Sequence, residues 1–102
     1  MMDRVITLCA YSIVREDDQD IMTLAKETEV FAEEQGLSNG FYFRSTAEGL
    51  RVVTSYLIHP FEYSGEQRIK DHGRLLKIER TRPLVKDGMD LLEVIVGEID
   101  GS

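Results

Sequence analysis

The sequence predicts an α+β domain whose elements follow in the order β-α-β-β-α-β, a four-stranded antiparallel sheet with two helices on one face. Three observations predict it. Val5 to Val14 is a β-branched, apolar run bounded by charge. From Ile21 the apolar spacing changes to three and four residues, the period of a helix. Two more strand-like runs, a second stretch of helical spacing and a final apolar run complete the order.

In the first run, Val5, Thr7, Cys9, Tyr11 and Ile13 alternate with Ile6, Leu8, Ala10, Ser12 and Val14. Neither side is plainly a water face, which suits a central strand buried on both sides. Arg15 to Asp20 is a polar turn whose acids suit a helix N-terminus. Ile21, Leu24, Ala25, Thr28, Phe31 and Ala32 then form one helical stripe, and Gly36 supplies a C-terminal cap.

Asn39 to Thr46 and Leu50 to Ile58 read as a strand pair joined at Ala47-Glu48-Gly49. Pro60 interrupts the chain beyond them, within the irregular stretch His59 to Gly65. Ser64 and Gln67 match a capping box, so a second helix is expected from Gly65 to Thr81, with Ile69, His72, Leu75 and Leu76 facing inward. Pro83 breaks it, Lys86-Asp87-Gly88 is a turn, and Leu91 to Ile99 is the last strand. Right-handed crossovers around a central hairpin make such a sheet ferredoxin-like. An apolar second sheet face calls for a cover, and a second copy of the chain is the expected one.

Composition narrows the function classes. The 102 residues are enough for one domain, taken as 1–102, with a modest core. A net charge of −7 argues against a sequence-independent grip on nucleic acid. Asn39-Gly40-Phe41-Tyr42-Phe43 has the aromatic look of an RNA-binding strand, but it stands in an acidic chain and in the wrong strand of the order. One cysteine, Cys9, and two histidines give neither a disulfide framework nor a zinc spacing. Glu16, Asp17, Asp18 and Asp20 suit a solvated turn better than a metal site. No apolar stretch reaches the roughly 20 residues that span a bilayer, and no signal peptide is visible, so a cytoplasmic protein is expected.

The first strand VITLCAYSIV, the helix closing at Gln35-Gly36, the hairpin from Asn39 to Ile58 and the segment EQRIKDHGRLL together resemble the antibiotic biosynthesis monooxygenase-like superfamily of dimeric α/β barrels. The resemblance covers nearly the whole chain through loose motifs. It implies a homodimer that oxidises a small aromatic or quinol-type substrate with O₂, without metal or bound cofactor. His72 stands where members of that superfamily often carry a helical histidine, so the resemblance implies it as the catalytic base; its ordinary pKa suits that work near neutrality. Tyr11, Tyr42, Tyr56 and His59 are the candidate substrate-binding residues, able to orient a ring within an apolar pocket. Arg44 and Arg51 are candidate attractors of an anionic substrate. The competing expectation is a non-catalytic dimer that binds a small ligand or another protein through the same surface.

Overall fold

Three two-residue turns organise the chain. In the computed structural model, which describes residues 2–36 and 52–99, each turn joins two antiparallel strands. Asp17-Asp18 connects β1 (Arg4–Glu16) to β2 (Gln19–Glu34). His72-Gly73 connects β4 (Arg68–Asp71) to β5 (Arg74–Lys86), and Asp87-Gly88 connects β5 to β6 (Met89–Gly97). All six turn residues have positive φ, between 51° and 83°. That is the mirror-image turn whose twist matches that of paired strands. Glycine reaches this backbone freely, and Asp and His reach it at modest cost.

β3 (Val52–Ile58) completes a closed barrel of order β1-β2-β3-β6-β5-β4, with every neighbouring pair antiparallel. Pro60–Glu62 forms a single 3₁₀ turn after β3. All six strands send side chains into one core: Ile6 and Leu8, Val30 and Ala32, Tyr56 and Ile58, Ile69, Leu76, and Val94 with Val96. A barrel of so few strands has no lumen to spare, and side chains fill it.

The α+β, ferredoxin-like expectation is therefore overturned, and with it the dimeric α/β barrel. There is no α-helix among the described residues. The helix expected from Ile21 is β2. Its inward residues Val30 and Ala32 sit opposite Ile6 and Arg4, whereas Ile21, Leu24 and Phe31 of the supposed stripe are 41%, 44% and 61% exposed. A bulge explains the misreading. Ala10 pairs with Lys26 and Tyr11 with Leu24, so Ala25 is an extra residue and the two-residue alternation changes phase there.

The helix expected over Gly65 to Thr81 is instead β4, the His72-Gly73 turn and the first half of β5. A second bulge skips Glu79, between Ile78 opposite Val96 and Arg80 opposite Ile95, and again hides the alternation. Ser64 caps nothing; its N–H donates to Glu66 Oε1 at 2.6 Å. β1, β3 and β6 fall on runs read as strands, and the Asp87-Gly88 turn lies where it was expected. The strand at Asn39 to Thr46 and the link Ala47-Glu48-Gly49 lie outside the described residues.

Strand lengths are unequal, and this gives the molecule its shape. Among the described residues β4 pairs with β1 over Thr7–Cys9, and β3 pairs with β2 at Glu33 and Glu34, with Gln35 N–H donating to the Ser55 carbonyl at 2.8 Å just beyond. Beyond those seams β1 and β2 continue as a two-stranded ribbon that ends at Asp17-Asp18. The radius of gyration, 14.5 Å, exceeds the roughly 13 Å of a compact chain of this size. The barrel thus carries an arm.

Ile69 is fully buried, so Ile69→Ala should cost about 2–5 kcal/mol in equilibrium denaturation. A loss under about 0.5 kcal/mol would contradict the barrel.

Candidate functional site

Two of the sequence-predicted residues meet, although not as a substrate pocket. Tyr56 points into the barrel from β3, and its hydroxyl donates to Asp71 Oδ2 at 2.6 Å. His72, the next residue, lies on the β4–β5 turn with Nδ1 2.8 Å from Asp71 Oδ1. Arg4, at the start of β1, places Nε 2.9 Å and Nη2 2.9 Å from Asp71 Oδ2 and reaches toward Glu34 at 3.7 Å. One buried carboxylate therefore holds β1, β3 and the β4–β5 turn at one end of the barrel. A buried charge needs this many partners to stay charged.

Burial alone would raise the Asp71 pKa, but the hydrogen bonds from Tyr56, Arg4 and His72 outweigh it and hold the carboxyl below its usual range. Burial, then the bond to Asp71, pushes the Tyr56 phenol well above its ordinary value. Tyr56 is thus a fixed proton donor to Asp71. The His72 side chain is 72% exposed and sits on a turn rather than inside a helix. Its orientation by a carboxylate is of the kind a general base uses. Around it, however, the structure places Arg4 and Asp71, and its open side meets solvent.

His59 lies elsewhere. It stacks on exposed Phe61, ring centroids 5.5 Å apart, and lines a half-open cleft of about 330 Å³. Met2, Met89 and Leu91 give that cleft its apolar wall, and Glu33 and Lys86 pair in it at 2.6 Å. The bond from Lys86 holds Glu33 down to a pKa of about 2. An apolar wall beside an ion pair and the His59 ring can hold a side chain or a small apolar group.

Tyr11 is on the outward face of the β1–β2 arm, where the Arg68 guanidinium covers its ring at 4.9 Å. Its backbone is also held. The Gln67 side chain accepts from the Tyr11 N–H at 2.9 Å and donates to the Tyr11 carbonyl at 3.2 Å. Tyr42, Arg44 and Arg51 lie outside the described residues. Cys9 is buried, and burial raises its thiol pKa. No group of three or more His, Cys, Asp or Glu side chains among the described residues is placed to hold a metal. None of their helices is long and apolar enough to cross a membrane.

Sequence reasoning missed the arm. Tyr11 stands opposite Leu24 and Ile13 opposite Met22 on one face; Val14 stands opposite Ile21 on the other. Ile13 is 71% exposed and Met22 51%. It also missed Asp71, Arg4 and Gln67, polar residues that no apolar spacing marks. The one available signal was His-Gly flanked by short mixed runs, a hairpin pattern.

No protein-family model and no curated protein matches this chain.

Asp71→Asn should lower stability at pH 7 by roughly 1.5–3 kcal/mol, the worth of hydrogen bonds to a charged group. Because the folded pKa lies below the unfolded value of about 3.9, the carboxylate's contribution is complete above that value. It is lost as pH falls through the folded pKa, so the gap between variant and parent should close between about pH 5 and pH 2. Urea melts at stepped pH check this, and a gap that stays constant would exclude Asp71 as the clamp.

Proposed function

We propose that this chain is a non-catalytic protein-interaction module, a filled barrel that holds out the β1–β2 arm as its binding surface. The observation that carries the reading is the exposure of Ile13, Val14, Ile21, Met22 and Leu24 on both faces of a two-stranded ribbon. An isolated hairpin is marginal in water, and an apolar one gains most by being covered. The barrel anchors one end of the arm and leaves the other to a partner. That partner is another polypeptide, and the cytoplasm is the setting.

Oxidation of a small aromatic substrate draws no support from the geometry. His72 is on an exposed turn, the Tyr56 proton is committed to Asp71, and Tyr11 and His59 serve other surroundings. The expected dimer rested on a bare face of an open sheet, and the described strands close into a barrel instead. A second copy remains one way to cover the arm.

The paired change Ile13→Ser and Met22→Ser should leave folding stability within about 0.5 kcal/mol, as expected of surface positions. It should also weaken any concentration-dependent self-association seen by light scattering. A loss above about 2 kcal/mol would show that the patch is covered within the chain and would overturn the reading. Consumption of O₂ with a quinol substrate, abolished by His72→Ala, would replace it with the catalytic one.

A further inference from the structure

Resting on that reading, we propose that the outer edge of β2, from Gln19 to Ala32, is a strand-addition site for an extended segment in which apolar and basic residues alternate.

β2 is paired with β1 along its length, but with β3 only at Glu33 and Glu34. Among the described residues, the outward N–H and C=O groups of Gln19–Ala32 therefore have no strand partner. In an antiparallel ribbon every second residue points these groups outward. Such an edge is a template for another strand, and proteins usually blunt it.

Two other edges of the described strands carry blocking features. β1 is capped at Tyr11 by the Gln67 amide, which supplies one donor and one acceptor as a neighbouring strand would. β5 extends past β4 from Ile78 and carries Pro83 with Arg80 and Arg82. Proline and cations at alternate positions are common means of blocking an edge. β2 has no proline, no side-chain amide caps it among the described residues, its one cation is Lys26, and its bulge at Ala25 leaves unbroken pairing with β1 on both sides.

The side chains of β2 define the incoming strand. On one face Met22 and Leu24 continue the apolar patch, followed by Glu27 and Glu29; on the other stand Ile21, Thr23, Lys26 and Thr28. Three acids against one base make the segment negative. Two segments with this excess of acid repel, so β2 of a second copy is a poor occupant; lysine or arginine opposite Glu29, and opposite Glu27 in exchange for its exposed 3.4 Å contact with Lys70, is favourable. Backbone hydrogen bonds supply affinity, and the alternate side chains supply choice.

The test uses the full chain, isotope-labelled, and a synthetic peptide of roughly eight alternating valine and lysine residues. A second peptide is identical except for N-methylation at every other backbone nitrogen. The plain peptide should move amide resonances within Gln19–Ala32 and slow hydrogen exchange there. The methylated one, unable to form the ladder, should bind at least about tenfold more weakly. Equal binding of the two would reduce the contact to charge attraction and overturn the proposal. So would shifts centred on β5, absence of binding, or β2 amides already protected in a self-associated chain without peptide. Should the peptide fail while serine at Ile13 and Met22 behaves as expected, the edge proposal falls and the module reading stands.

Discussion

Everything at the closed end of the barrel depends on one buried negative charge. Asp71 ends β4 pointing inward, and its carboxylate takes hydrogen bonds from Tyr56 within the core, Arg4 on β1 and His72 on the adjoining turn. The demand is physical: a carboxylate this deeply buried is tolerable only when its lone pairs are met. Meeting them fixes three separate stretches of chain. This matters because the barrel is closed at two sparsely laddered seams, Thr7–Cys9 against β4 and Glu33–Glu34 against β3. Where backbone bonds are few, side chains complete the closure. Asp71 does so at one end. Gln67 extends the first seam by binding Tyr11 through its side chain, Cys9 through its N–H and Ile78 through its carbonyl.

The second consequence is the division into barrel and arm. Short β3 and β4 cannot follow long β1 and β2 to their tip, so the ribbon leaves the barrel with its apolar residues uncovered. The outward surfaces of β3 and β6 behave differently. Ser55 is buried there, donating toward the Gly36 carbonyl at 2.8 Å and Glu93 Oε2 at 3.0 Å. Glu93 Oε1 lies 2.6 Å from the Arg82 guanidinium, an ion pair whose alignment is not that of a hydrogen bond. Ser55 and Glu93 are thus held together on the barrel wall, while the arm leaves Ile13, Val14, Ile21, Met22 and Leu24 open to solvent. The contrast makes the arm's exposure a property of its sequence rather than of loose packing.

How much of this was legible follows from particular residues. β1 and β6 are apolar runs with β-branched residues, and Asp87-Gly88 is a strong two-residue turn signal, so these elements were readable. β2 was not, because the extra residue at Ala25 changes the phase of its alternation and leaves Ile21, Leu24, Thr28 and Ala32 at helical intervals. β5 carries the same disguise at Glu79. His72 looked functional because a helix was drawn through it. On a turn it becomes the outer partner of Asp71, and the pairing of His72 with Tyr56 arises through a residue without periodic signature. Tertiary pairing decided both segments, and a local period cannot anticipate which edges will meet.

Charge connects the arm to the rest of the molecule. The tip, Glu16 to Asp20, bears four acids, and Arg15 beside them makes a 3.5 Å contact with Asp20 that is too exposed to add much stability. Those acids do little for the fold. They do disfavour pairing between two tips, since like charges facing each other oppose edge pairing. An apolar ribbon with an open edge would otherwise be an aggregation site. Acidity at the tip and along β2 therefore allows the ribbon to stay exposed until it meets a strand of opposite sign.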